Sequence, residues 1–260
     1  MTSSHSSPPR LHIHEGVATV TLNRPVQRNR LENDDLSLLL QHFAQVHDDH
    51  RVRVLVLTAN TTGQPKPVFC AGYDISGFKE DAQGSSTFEK IPEALAQLRP
   101  ITVCGLNGSV YGGATDLVLA CDVRLCLEGI EWRMPAAALG LHFYPSGLQR
   151  YVSHFGLAAA KRAFLTARVF SSAELQALGL FDAVVPAHLF EAQLQALVSD
   201  VSALAPLAAQ AMKQSLNDIA AGTHNASLLR EREIQSTRTQ DFAEGLQAFA
   251  EKRKPDFQGQ

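Results

Sequence analysis

Two nearly continuous apolar runs, each followed by a glycine-containing segment, constrain this chain more than any other feature. Val52-Arg53-Val54-Leu55-Val56-Leu57 and the run at 100–106 lack the polar alternation of a half-exposed strand, so each reads as a strand covered on both faces. The first leads to Phe69-Cys70-Ala71-Gly72-Tyr73-Asp74-Ile75, and the second to Asn107-Gly108-Ser109-Val110-Tyr111-Gly112-Gly113-Ala114-Thr115-Asp116. A glycine turn that opens a loop or helix leaves backbone N–H groups without partners. Two such turns aimed at one point can hold an oxygen that gains negative charge.

Strand and helix signals alternate along most of the remaining chain. Leu11-His12-Ile13 and residues 17–22, joined at Glu15-Gly16, read as a hairpin. Asn33 or Asp34 caps a helix that places Leu36, Leu39, Leu40, Phe43 and Val46 on one face. Phe88, Ile91, Leu95 and Leu98 define a second helix, another starts near Gly113, and residues 123–127 form a strand. Ser171-Ser172-Ala173-Glu174 is a capping box for a helix ending at Gly179, with a short strand at 181–185 after it. From His188 the signals are all helical. The chain thus divides into a flexible tail (1–10), an α/β core (11–187) and a helical region (188–260).

Composition narrows the function classes. With 260 residues and 45% hydrophobic content the chain can bury a large core, and its formal charge of −3 leaves no electrostatic footprint for nucleic acid. No apolar run approaches the roughly 18 residues of a membrane span, and the first nine residues lack the apolar centre of a signal peptide, which points to a cytoplasmic location. Cys70, Cys104, Cys121 and Cys126 show no CxxC spacing and read as buried thiols. His42, His47 and His50 do not share one helical face, so no metal site is expected there. The glycines at 108, 112 and 113 form neither a dinucleotide-binding fingerprint nor a P-loop, and Ser109 lacks the GxSxG frame of a hydrolase elbow.

Leu22-Asn23-Arg24-Pro25, the Phe69–Ile75 and Asn107–Asp116 segments, Cys121-Asp122, Gly179-Leu180 and Phe249-Ala250-Glu251-Lys252-Arg253 follow one another in an order similar to that of the crotonase (enoyl-CoA hydratase/isomerase) family. The chain resembles that family over nearly its whole length. The resemblance implies a crotonase-like spiral of repeated strand-strand-helix units, a helical C-terminal region that assembles trimers or a dimer of trimers, and an acyl-coenzyme A thioester as substrate. It implies no separate cofactor, because coenzyme A enters as part of the substrate.

By position in that family, the amides of Tyr73 and Gly113 hold the thioester oxygen as it becomes enolate-like, and Gly112 lets the backbone approach closely. Asp116 stands where family hydratases carry glutamate and reads as the acid/base, with a structural helix cap as the alternative. The shorter side chain withdraws the carboxylate by about 1.5 Å, a displacement that can cost about 10²-fold in rate unless something compensates. After Met134-Pro135 the family hydratases carry a second carboxylate, and here Ala136 stands instead. That change disfavours ordinary two-carboxylate hydration and favours isomerase-like, single-base chemistry. Thioester hydrolysis or C–C cleavage on the same fold, with Asp116 as a possible nucleophile, and non-catalytic acyl-CoA binding are the alternatives.

The resemblance also places Pro135, Ala136, Leu139, His142 and Tyr144 in the acyl pocket; His142 or Tyr144 could shuttle a proton or simply line the wall. For the nucleotide end it implies main-chain groups of Ala71, Asp74 and Ile75, phosphate contacts from Arg24 and Arg28, and Phe249 with Lys252 reaching in from a neighbouring subunit.

Overall fold

The computed structural model describes residues 7–76 and 84–260. β1 (Arg10–His14) and β2 (Val17–Leu22) form the expected hairpin, turned by Glu15 and Gly16 at φ 46° and 78°. Residues 1–6 of the expected tail lie outside the described residues, but Ser7 already donates its amide to the Asn23 carbonyl at 2.9 Å. The chain is therefore engaged before β1. α1 (Asn33–Asp48) buries Leu36, Leu39, Phe43 and Val46, while its cap is Glu32 rather than Asn33 or Asp34. The capping box is closed by Asp35, whose Oδ2 accepts from the Glu32 amide at 3.0 Å.

Three turns of a strand-strand-helix spiral follow. β3 (Val54–Ala59), β4 (Val68–Cys70) and α2 (Gly84–Ala96) form the first, and β5 (Ile101–Leu106), β6 (Ser109–Tyr111) and α3 (Ala114–Leu119) the second. The third comprises β7 (Val123–Leu127), β8 (Glu131–Arg133) and α4 (Pro145–Thr166), with a 3₁₀ turn at Ala136–Leu139 before the helix. β9 (Val169–Ser171), α5 (Ser172–Ala177) and β10 (Ala183–Val185) close the spiral. Ser171 caps α5 with Glu174, as its sequence predicts.

Each turn gives its first strand to one sheet and its second to another. The larger sheet has the order β1-β2-β3-β5-β7-β10, parallel from β2 onward, and the smaller has the order β4-β6-β8-β9. The lack of polar alternation in β3 and β5 now has a physical cause. Leu55, Leu57 and Cys104 face the main core, whereas Val54, Val56 and Val103 face a second cluster beneath Phe190 and Leu194. Those two residues belong to α6 (Ala187–Ser202), so the first C-terminal helix roofs the larger sheet. A Cβ on Gly105 of β5 would lie 2.8 Å from Leu194 Cδ2, which is why glycine suits this close crossing.

α7 (Pro206–Ala221), α8 (Ala226–Ser236) and α9 (Gln240–Glu251) complete the helical region. The Cys121-Asp122 motif is a structural tie to it. Asp122 accepts from the Thr102 amide at 2.7 Å and from Lys213 of α7, also at 2.7 Å, and Lys213 reaches the Pro100 carbonyl at 2.9 Å. The Gly179-Leu180 motif is tied similarly, since buried Arg124 donates to the Leu180 carbonyl at 2.8 Å. All four cysteines are buried and free, and no helix among the described residues is long and apolar enough to cross a membrane.

Candidate active site

The two glycine-containing segments meet because β4 and β6 are neighbours in the smaller sheet. Gly72 takes φ 100°, and a Cβ there would lie 3.0 Å from the Tyr111 carbonyl oxygen and 3.7 Å from Gly112 Cα. Only glycine accommodates both that backbone angle and that approach. The Tyr73 segment is set by Leu31: its amide donates to the Gly72 carbonyl and its own carbonyl accepts from the Asp74 amide, each at 2.9 Å. Asp74 closes the turn, accepting from the Ser76 amide at 2.9 Å and pairing with Arg30 at 3.1 Å; the Ser76 bonds lead in lowering its pKa.

On the opposite side, Gly112 donates its amide to Arg133, and Gly113 heads α3 with an amide that has no acceptor among the described residues. Phe88 of α2 lies against Gly113: a Cβ there would stand 2.6 Å from Phe88 Cε1. The same ring sits 5.6 Å from that of Tyr73 and 6.3 Å from that of Tyr144. Tyr73 donates its hydroxyl to Asn33 Oδ1 at 2.5 Å.

Asp116, in the first turn of α3, is completely buried and heavily coordinated. Arg150 Nε donates to its Oδ1 at 2.8 Å, Arg150 Nη2 to Oδ2 at 2.6 Å, and the Tyr144 hydroxyl to Oδ2 at 2.7 Å. This bidentate guanidinium contact holds the carboxylate in one orientation. Burial, followed by the charge and hydrogen bond of Asp116, pushes the Tyr144 phenol far above its ordinary pKa. Ser146 lies 3.4 Å from Arg150 Nη2 and donates to Glu89 of α2 at 2.8 Å.

The remaining predicted residues separate into those near this cluster and those turned elsewhere. Pro135 leads into the 3₁₀ turn that begins at buried Ala136, while Leu139 and His142 are exposed. The structure thus joins Tyr144, and not His142, to Asp116. Arg24 gives its guanidinium to buried Asp35, with Nε 2.9 Å from Oδ2 and Nη2 3.1 Å from Oδ1. Arg28 is exposed, has no carboxylate partner among the described residues, and lines a cleft of about 770 Å³ with Lys66 and Tyr111. Its carbonyl accepts from the Ala71 amide at 2.9 Å. Ile75 is exposed, as is Lys252, and Phe249 is 86% exposed.

Arg150 and Phe88 are the site residues that sequence reasoning missed. A charged residue at the helical spacing of Ser146, just after Pro145, is the available signal for Arg150, but nothing in the sequence names its partner. Among the described residues no cluster of three metal-ligating side chains occurs.

The sequence model described as enoyl-CoA hydratase/isomerase matches residues 12–260. The 2,3-dehydroadipyl-CoA hydratase of Escherichia coli (strain K12) is 30% identical over 248 residues, covering 94% of this chain and 95% of that protein. Enoyl-CoA hydratase domain-containing protein 2, mitochondrial, of Bos taurus is 30% identical over 261 residues, covering 95% and 86%. A crystal structure of an enoyl-CoA hydratase from Bacillus anthracis matches with a TM-score of 0.87 at 27% identity, over 98% of this chain and 100% of that one.

Proposed function

Because this chain belongs to the enoyl-CoA hydratase/isomerase family, we propose that it moves a double bond within an acyl-coenzyme A thioester by way of a stabilised enolate. The amides of Tyr73 and Gly113 hold the thioester oxygen, and Asp116 is the acid/base that takes up a proton when the enolate forms and gives one back when it collapses. One observation carries this reading: the two glycine segments converge beside the buried Asp116 carboxylate, with apolar Ala136 where the family hydratases carry a second one. One base suffices to shift a proton, whereas hydration of the family kind uses two carboxylates to place water. Each oxyanion donor is worth about 10²–10³ in rate.

Coenzyme A lies along Ala71, Asp74 and Ile75, with Arg28 as the phosphate partner. Arg24 is committed instead to Asp35 of α1. Phe249 and Lys252 cover the nucleotide of a neighbouring subunit, and the exposure of Phe249 supports that role. Direct attack by Asp116 in hydrolysis is disfavoured, because both its oxygens already accept hydrogen bonds inside a closed environment.

A panel of 2-enoyl- and 3-enoyl-CoA thioesters, followed by mass spectrometry and ultraviolet absorbance, tests the reading. It predicts interconversion of the two double-bond positions without a gain of water. Rapid formation of the 3-hydroxyacyl product would overturn the isomerase assignment, and release of free acid would favour hydrolysis.

A further inference from the structure

Asp116 has no exposed surface, yet the Tyr144 hydroxyl bonded to it belongs to a residue that is only partly buried. We propose that the Tyr144 hydroxyl, rather than the Asp116 carboxylate, meets the reacting carbon of the substrate, and that Asp116 receives the proton behind it. This inference rests on the enolate reading above and names the group that touches substrate.

Two observations and one property of the hydroxyl group support it. Asp116 Oδ2 already accepts from both Tyr144 and Arg150, and Oδ1 from Arg150, so a direct approach would require this bonded group to be uncovered. Next, the Tyr144 ring neighbours Phe88, whose own ring lies against Gly113, which places the phenol on the side of the oxyanion donor. Finally, a hydroxyl can donate one proton while accepting another on a lone pair, whereas a guanidinium stays protonated. The phenol oxygen thereby spans the distance lost when aspartate replaces glutamate.

The step balances without an oxidant or added reagent. The α-C–H bond breaks while an O–H bond forms on Tyr144, and the original phenol O–H bond breaks as its proton passes to Asp116 Oδ2. The C–H electron pair enters the thioester, leaving negative charge on the oxygen that faces Tyr73 and Gly113. Reversal at the γ-carbon returns the proton, restores the carboxylate and completes the double-bond shift. Arg150 is the positioning residue: its two hydrogen bonds keep Asp116 Oδ2 turned toward the phenol.

Tritium release from an α-tritiated saturated acyl-CoA, measured in H₂O and in D₂O, tests the relay on the intact protein. A phenolic proton in flight predicts slower release in D₂O, and Tyr144→Phe predicts a loss of about 10²-fold or more with thioester binding retained in calorimetry. Abstraction straight onto Asp116 moves no solvent-derived hydron while the C–H bond breaks, and the tritium leaves the carboxyl by later exchange, so equal rates in the two solvents would overturn the proposal. Tyr144→Phe retaining wild-type release would overturn it as well. The isotope comparison needs no variant and therefore survives a Tyr144→Phe chain that does not fold. Failure of the wild-type protein to release tritium while it binds the thioester would instead remove the enolate reading itself, and the relay with it.

Discussion

In the proposed mechanism Asp116 and Ala136 set the chemistry at the scale of single residues: one accepts three hydrogen bonds in a closed environment, and the other presents a methyl group. Asp116→Asn keeps the shape but removes the proton acceptor, so α-proton exchange should fall by about 10²–10⁴, as read by mass spectrometry in D₂O. The same change leaves mostly buried Arg150 without its counter-ion and should lower stability by about 3 kcal/mol in urea unfolding. Wild-type exchange by this variant would remove Asp116 from the mechanism. Gly113→Ala is a different probe, because its Cβ would stand 2.6 Å from Phe88 and force that ring to move. An overpacking cost of about 1–3 kcal/mol should appear in unfolding, together with reduced turnover; unchanged stability would contradict the placement of Phe88. At this scale the glycine turns and Asp116 could be singled out from sequence because they lie within short local motifs. The sequence hid Arg150, whose approach to a carboxylate far back in the chain is created by the packing of α4 on α3. Arg24 misled in the same way: its motif resembles a phosphate contact, but a capping box eleven positions later supplies the carboxylate that claims it.

Elements carry the geometry that brings these residues together, and two of their junctions can be tested. Lys213 fastens α7 to the ends of β5 and β7 through Asp122 and the Pro100 carbonyl. Lys213→Met should cost about 3 kcal/mol by stranding Asp122, and the double variant with Asp122→Asn should recover part of it. Additive losses would show that the pair is not coupled. His154 of α4 sits near Arg124 and Arg150, and burial with their positive charge pulls its imidazole down to about 4, against an opposing bond to the Leu119 carbonyl. The unfolded chain takes up this proton near pH 6.5, before the folded protein does. Stability from this group is therefore full above that pH and declines as pH falls toward 4, with a slope of at most about 1.4 kcal/mol per pH unit. His154→Gln should flatten thermal unfolding temperature against pH in that window, and an unchanged slope would refute the assignment. The strands, hairpin and α5 capping box were legible from local pattern. The cap of α1 was not, because Glu32 acts through its pairing with Asp35 and not through the usual short polar side chain. The role of α6 as a roof on the larger sheet was also hidden, since a helix's packing partner does not follow from its own periodicity.

The whole molecule leaves an apolar face uncovered. Met212, Leu216 and Ile219 of α7 are each at least half exposed and share one side by helical spacing, and Leu246 and Phe249 of α9 are exposed as well. Such a surface fits assembly with further copies, as the family resemblance implies, and Leu216→Glu should shift sedimentation toward the single chain. If Phe249 covers a neighbour's nucleotide, Phe249→Ala should raise KM for acyl-CoA roughly tenfold with kcat nearly unchanged; a purely kcat effect would contradict that placement. The family was legible because its motifs recur in order along the chain, while the proposed reaction rests on the joint arrangement of α2, α3 and α4. The most direct test of the central claim is solvent deuterium incorporation at the α-carbon of a bound acyl-CoA. The enolate account predicts incorporation by the wild-type protein and its loss in Asp116→Asn. A wild-type protein that binds the thioester and leaves its α-hydrogens untouched would contradict that account.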